Sequence, residues 1–258
     1  MLKSRIRQFL LTNDATDEVF AFRTSELLRL AKQHRAAYST NSPYPHTLID
    51  DFLPAAVAER LLSVFPKPND SVWLDWRNRD TVHQPRKQGI GNAERLDRVH
   101  PFIHNIIFAF NSHAMIRFLE TLTGIECLIP DPHLIGGGLH QILPQGKLAI
   151  HADFNYLEDL KLYRRINLLL FLNKDWDEAY GGHLELWNAS MDQCERKILP
   201  VFNRCVIFNT SRTSYHGHPQ PLNCPPNVTR KSLAFYYYTR DAAAGEDQIH
   251  STLWQDLL

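Results

Sequence analysis

The second half of the chain is a series of short apolar segments separated by turn residues, and this pattern limits the folds open to it. The turns are marked by Pro144-Gln145-Gly146, by Gly181-Gly182 and by the stretch from Pro219 to Pro226. Segments with the length and composition of β-strands are Leu139–Leu143, Lys147–Phe154, Ile166–Asn173, Gly182–Trp187, Lys197–Pro200, Cys205–Asn209 and Lys231–Thr239. Such a succession favours two packed sheets, as in a β-sandwich or a jelly roll.

The first third of the chain is predicted to be mainly helical. Glu18–Ala37 carries apolar residues at roughly helical spacing. A short strand is expected over His46–Phe52, followed by a helix over Pro54–Phe65 that begins at a proline. Pro101–Leu122 is the clearest helix, because a proline suits its first turn and Gly124 follows its end.

These patterns together predict an α+β fold in one domain, residues 1–258. Mainly helical residues 1–125 would support a jelly-roll core over residues 134–240. The chain shows no internal repeat and no low-complexity linker, and 258 residues are enough for one large core.

The composition argues against nucleic acid and against a membrane as partners. Lys and Arg total 28, Asp and Glu total 28, and the formal net charge is zero, whereas proteins that bind nucleic acid usually have a basic excess. The longest apolar run, Leu168–Leu172, is too short to cross a bilayer. No signal-peptide pattern stands out. The four cysteines lack paired or zinc-binding spacing, which predicts free thiols and a cytoplasmic location.

One short motif carries the chemistry. His151 and Asp153 are two residues apart on a predicted strand, so their side chains point to the same side. A second histidine follows later in the chain, and His216 and His218 are both candidates for it. Two imidazoles and one carboxylate are a set that holds non-haem Fe(II) on one face and leaves the other face open.

The order of motifs around this set resembles the prolyl 4-hydroxylase-like branch of the Fe(II)/2-oxoglutarate-dependent oxygenases, over roughly residues 134–240. The similar segments are Leu172-Asn173-Lys174-Asp175-Trp176-Asp177, Gly181-Gly182 with Leu184, Ser214-Tyr215-His216, and Thr229 to Tyr238. The resemblance implies a double-stranded β-helix, which is a form of jelly roll, buttressed by the N-terminal helices. It implies Fe(II), 2-oxoglutarate and O2 as cofactor and cosubstrates, with ascorbate as a candidate reductant.

The resemblance also implies roles for single residues. His151, Asp153 and His216 would be the metal ligands and the catalytic centre, since relatives place a branched apolar residue two positions after the second histidine, where His218 stands. Arg230 would bind the C5 carboxylate of 2-oxoglutarate, with Ser232 beside it; a guanidinium offers two parallel donors to a carboxylate.

This sequence departs from the pattern at one position. The hypoxia-sensing prolyl hydroxylases have a tyrosine that helps to bind the C5 carboxylate, and Phe171 stands there, without a hydroxyl. Asn167 lies on the same predicted strand face and could supply a polar contact to 2-oxoglutarate instead. Tyr236 and Tyr238 are the other candidates.

The implied activity is hydroxylation of an unactivated C–H bond with release of succinate and CO2. We expect a small-molecule substrate, such as an amino acid or a natural-product intermediate. The alternatives are a prolyl residue of a protein or peptide, and a non-catalytic iron or 2-oxoglutarate sensor on the same fold. Arg77–Glu94 and Asn155–Arg165 are candidate lid segments, because the first is long and polar and the second follows the metal strand.

Overall fold

The structure, a computed structural model, describes residues 19–75, 82–91, 93–246 and 248–255. Its α-helices are α1 (Thr24–Thr40), α2 (Ala55–Ser63), α3 (Ala93–Leu96), α4 (Pro101–Phe110) and α5 (His113–Thr123). Its strands are β1 (His46–Ile49), β2 (Leu74–Asp75), β3 (Lys87–Ile90), β4 (Ile129–Pro130), β5 (Gly138–Ile142), β6 (Leu148–Ala152), β7 (Tyr156–Leu157), β8 (Leu162–Phe171), β9 (Leu184–Trp187), β10 (Cys194–Ile198), β11 (Cys205–Asn209), β12 (His216–His218), β13 (Arg230–Thr239) and β14 (Leu253–Trp254).

The strands form two antiparallel sheets within the described residues. The larger sheet runs β1-β11-β8-β13-β5-β3-β2, with β4 paired to β13 and β7 paired to β8. The smaller sheet runs β10-β9-β12-β6-β14. The predicted α+β jelly-roll fold is confirmed. The division into helical support and core as a single domain stays a prediction.

Side chains along the two longest strands, β8 and β13, point alternately to the hydrophobic core and to the space between the sheets. On β13, Leu233, Phe235 and Tyr237 belong to the main hydrophobic core, and the side chains between them turn the other way. Leu168 and Leu170 do the same on β8. Because neighbouring strand residues face opposite sides, the large sheet presents one face to the helices and the other to the space between the sheets.

The helices cover the outer face of the large sheet. On α5, Met115, Phe118 and Leu119 are fully buried in the main core. The ring of Phe110, at the end of α4, stacks on Phe235 of β13 with 4.4 Å between ring centroids. The Tyr237 hydroxyl donates to the Phe110 carbonyl at 2.8 Å. This packing fixes β13 from behind and so fixes the strand that carries the opposite, cavity-facing side chains.

The predicted continuous helix over Pro101–Leu122 was wrong. The structure has two helices, α4 and α5, which are separated at Asn111 and Ser112. Ser112 is the N-cap of α5, and its hydroxyl accepts a hydrogen bond from the Met115 amide. A serine that caps an amide two or three residues later supplies one of the bonds that a helix start lacks, so it favours a break at this point.

The two predicted lid segments contain regular structure. Within Arg77–Glu94, Lys87–Ile90 is strand β3, which pairs with β5, whereas residues 76–81 and 92 lie outside the described part of the chain. Asn155–Arg165 is a hairpin in which β7 pairs with the start of β8. Their role as lids stays a prediction. Among the described residues, no helix combines the length and apolarity that crossing a bilayer requires.

Candidate metal centre

The pairing of β6 with β12 brings the three predicted ligands together. His216 lies directly opposite His151 in this antiparallel pair, and Asp153 follows the last residue of β6. One ligand atom from each residue lies within 4.8 Å of the others. The Asp153 carboxylate reaches both rings, with Oδ1 at 3.5 Å from Nε2 of His151 and Oδ2 at 3.3 Å from Nε2 of His216.

Backbone carbonyls fix the tautomer of both imidazoles. Nδ1 of His151 lies 2.8 Å from the Ala149 carbonyl, and Nδ1 of His216 lies 2.9 Å from the Ser214 carbonyl. A carbonyl can only accept, so each Nδ1 carries a proton, and Nε2 is the nitrogen left to bind a metal through its lone pair. Burial also lowers the pKa of His151, reinforced by the nearby His216. Two lone pairs and a carboxylate on one point fit a divalent metal.

Two side chains hold the Asp153 carboxylate in place. Its Oδ2 accepts from Nη2 of Arg164 at 2.9 Å and from Nδ2 of Asn167 at 2.6 Å. Burial alone would raise the pKa of Asp153, but the charge of Arg164, with help from His216, brings it well below its ordinary value. The carboxylate is therefore ionised and ready to bind a cation.

Arg164 is itself held rigidly. Both Nε and Nη2 donate to Oδ1 of Asn167, at 2.8 and 2.6 Å. The guanidinium lies 3.4 Å from the ring centroid of Tyr236 and 4.8 Å from that of Phe154, close enough for cation–π attraction. The sequence placed Arg164 only within the candidate lid segment Asn155–Arg165. A charged residue eleven positions after Asp153 gives no sign in the sequence that its side chain will contact Asp153.

The ligand set opens into a cavity of about 370 Å³ between the two sheets, and its lining includes the triad, His218, Arg230 and Ser232. Asp153 is the sole carboxylate among its described lining residues. The cationic side chains of Lys87, Arg95 and Arg164 line the same space. A cavity with several basic groups and one acidic group favours an anionic ligand beside the metal.

Arg230 lines this cavity without an acidic partner among the described residues. It is buried, its Nε donates to the Gly182 carbonyl at 2.8 Å, and its guanidinium lies 4.8 Å from the Phe171 ring centroid. No described carboxylate lies within ion-pair distance of it. Burial lowers its pKa to about 9, which leaves it charged at neutral pH. A buried cation without a counter-ion fits the remote carboxylate of 2-oxoglutarate.

The other predicted contacts of 2-oxoglutarate differ in whether their polar groups already have partners. Ser232 is buried and lines the cavity, two residues from Arg230. Asn167 also lines it, but its amide is occupied by Asp153 and Arg164. The Tyr236 hydroxyl donates to the Gly136 carbonyl, so its proton already has a partner. The assignment of Ser232 and Asn167 to 2-oxoglutarate stays a prediction.

The geometry favours His216 over His218 as the second histidine ligand. Metal binding itself stays a prediction. His216 belongs to the group whose ligand atoms converge, and His218 does not. His218 lies on the same strand, is 2 % exposed and lines the cavity.

Sequence reasoning missed the C-terminal strand as part of the site. β14 pairs with β6, which places Trp254 opposite His151, with 4.7 Å between their ring centroids. On its other side Trp254 stacks on His83 at 4.5 Å. Thr252 and Trp254 both line the cavity. A two-residue strand gives no recognisable pattern in a sequence, so this wall could be found only from the fold.

Comparison with known proteins agrees with this geometry. The family model described as 2OG-Fe(II) oxygenase superfamily matches residues 137–238. This match covers less than half of the chain, so the segment is similar to that superfamily, and the triad and Arg230 fit the Fe(II) and 2-oxoglutarate that its description names. Among curated relatives, prolyl 3-hydroxylase OGFOD1 of Mus musculus is 29% identical over 79 residues, which cover 29% of this chain and 14% of that protein. The match therefore spans a small part of the relative's length.

Solved structures share the fold. A prolyl hydroxylase from Trichoplax adhaerens, in complex with a peptide fragment of the hypoxia inducible factor oxygen degradation domain, superposes with a TM-score of 0.60 at 19% identity, over 90% of this chain and 99% of that one. A Pseudomonas putida prolyl-4-hydroxylase gives a TM-score of 0.51 at 18% identity, over 82% and 100% of the two chains. The fold is thus that of the prolyl hydroxylases.

Proposed function

We propose that this chain is an Fe(II)- and 2-oxoglutarate-dependent dioxygenase that hydroxylates an unactivated C–H bond. The observation that carries this proposal is the coexistence, in one cavity, of a converging His151, Asp153 and His216 with an unpaired, buried Arg230. The family's metal and cosubstrate, when bound, supply the oxidation of the C–H bond, with succinate and CO2 as co-products. The protein supplies positioning and exclusion of water.

Each part of the site has a defined task in this proposal. His151, Asp153 and His216 hold the metal, and their orientation is fixed before binding by the Ala149 and Ser214 carbonyls. Arg230 binds the C5 carboxylate through its free guanidinium nitrogens while Nε stays on the Gly182 carbonyl. Because these donors are already in place, little reorganisation is needed when the ligands bind.

Two substrate classes are consistent with the site. A free small molecule is favoured by the cavity of about 370 Å³, which has the size of a small-molecule site. A prolyl residue of a peptide is favoured by a different observation, the match to the mouse prolyl 3-hydroxylase. The rings of Phe154, Tyr236 and Trp254 line the cavity near the metal ligands. Aromatic faces pack well against saturated carbon, which suits an aliphatic or prolyl substrate of either class.

The test is succinate formation by the purified protein with Fe(II) and 2-oxoglutarate, measured with free amino acids and with proline-containing peptides. We expect 2-oxoglutarate turnover in the wild type that a true substrate accelerates, and none in Asp153→Ala. A protein that binds Fe(II) and 2-oxoglutarate but forms no succinate with any substrate would instead support the sensor alternative.

A further inference from the structure

His218 is buried but has no described hydrogen-bond partner. It is 2 % exposed, and both ring nitrogens are shielded from solvent without a hydrogen bond, although the backbone of Gln220 lies near. Leaving a buried polar group unsatisfied costs free energy, and native proteins do so rarely. An imidazole keeps at least one N–H donor in either protonation state, so His218 offers a donor that the protein alone does not use.

The strand geometry directs His218 into the cavity. His218 and His216 are alternate residues of β12, so both belong to one side of the strand. Gly217 between them lies against β6 so closely that a Cβ there would be 2.7 Å from the Ala149 carbonyl and 2.8 Å from the Leu148 carbonyl. This close approach fixes the strand, and His218 lines the cavity together with His216 and Arg230.

His218 shares one cavity with the metal ligands and with Arg230. It is close enough to both Arg230 and His151 for their charges to act on it, and these two residues mark the carboxylate end and the metal end. Lys87 also acts on it. An extended dicarboxylate that spans from the metal ligands to Arg230 occupies the cavity that His218 lines, and the only hydrogen-bonding atoms it can present are oxygen acceptors.

We propose that a ring N–H of His218 donates a hydrogen bond to an oxygen of the 2-oxoglutarate bound between the metal ligands and Arg230. His218 is then a second protein contact for the cosubstrate beside Arg230, and its missing partner is the ligand itself. This inference rests on the proposed function, because it takes 2-oxoglutarate as the molecule in the cavity.

The experiment compares two substitutions by calorimetric titration of the Ni(II)-loaded full chain with 2-oxoglutarate, since Ni(II) fills the site without turnover. His218→Leu removes the donor, and His218→Asn keeps one. We expect His218→Leu to weaken 2-oxoglutarate binding by about ten- to a hundredfold, the effect of losing a hydrogen bond to a charged group, and His218→Asn to restore part of the affinity. His113→Leu, at an exposed helix start, is the matched control and should bind as the wild type does.

Two further readouts separate this role from others. Ni(II) affinity should be unchanged in His218→Leu, and the thermal stability of its metal-free form should equal or exceed that of the wild type, because an unsatisfied buried group is removed. A His218→Leu protein whose 2-oxoglutarate affinity stays within twofold of the wild type overturns the inference. So does a parallel loss of Ni(II) affinity. If the wild type itself does not bind 2-oxoglutarate, the proposed function fails instead.

Discussion

Replacing Gly182 with alanine should weaken 2-oxoglutarate binding, although no residue predicted to bind 2-oxoglutarate is itself substituted. Gly182 has a φ of +69°, and a Cβ there would lie 2.6 Å from Cδ2 of Leu222 and 3.1 Å from Cδ of Arg230. Leu222 is fully buried in a cluster with Ile142 and Trp176. The Gly182 carbonyl also accepts the Nε hydrogen bond that orients the Arg230 guanidinium. The added methyl group therefore displaces Arg230, the turn, or both.

The expected loss in the free energy of unfolding has two sources. A left-handed backbone costs an L residue about 1–2 kcal/mol, and overpacking a filled site costs about 1–3 kcal/mol. Gly182→Ala should therefore lower the free energy of unfolding by about 2–5 kcal/mol. Gly181→Ala is the control, because Gly181 has a φ of +70° and a ψ of −143°, a conformation that strains an alanine at least as much, but no atom lies within 4 Å of a new Cβ. It should show the backbone strain without the displacement of Arg230.

Denaturant unfolding and calorimetric titration of the metal-loaded protein measure the two effects separately. We expect 2-oxoglutarate affinity to fall at least tenfold in Gly182→Ala, which corresponds to about 1.4 kcal/mol, and to stay within about threefold of the wild type in Gly181→Ala. If Gly182→Ala folds and binds 2-oxoglutarate as tightly as the wild type, Arg230 is not positioned as described, and the reasoning fails.

Further predictions address the other parts of the site. Arg230→Ala should weaken 2-oxoglutarate binding more than tenfold, since losing a buried charge-assisted pair costs roughly 2–5 kcal/mol, while metal binding persists; an unchanged 2-oxoglutarate constant would remove Arg230 from the site. Arg164→Leu should weaken Fe(II) binding by about ten- to a hundredfold in a metal titration, because Asp153 loses the charge that holds it. The control is Arg165→Leu, which breaks a bond to the Thr239 hydroxyl and should leave Fe(II) affinity intact. His216→Ala should abolish succinate formation, and His218→Ala should keep measurable turnover at saturating 2-oxoglutarate; the reverse pattern would move the metal ligand by two residues.

The sequence was sufficient for features that depend on local pattern. The strand predicted over Cys205–Asn209 coincides with β11, and Lys231–Thr239 differs from β13 by one residue. The spacing of His151 and Asp153 predicted side chains on one side of a strand, and they do converge. These predictions succeed because strand alternation acts over two residues and needs no knowledge of distant contacts.

Features that depend on distant contacts could not be predicted. The clamp of Arg164 and Asn167 on Asp153 requires β8 to run beside the end of β6, which only the assembled fold establishes. The placement of Trp254 over His151 depends on pairing between strands about a hundred residues apart in sequence. Strand pairing across such distances is set by tertiary packing rather than by local propensity.

The most direct test of the central claim is an oxygen-free crystal structure of the protein with Fe(II) and 2-oxoglutarate. We predict a single metal bound by Nε2 of His151, a carboxylate oxygen of Asp153 and Nε2 of His216, with the C5 carboxylate of 2-oxoglutarate on the guanidinium of Arg230. A metal held by another set of residues, or 2-oxoglutarate bound away from Arg230, would contradict the account.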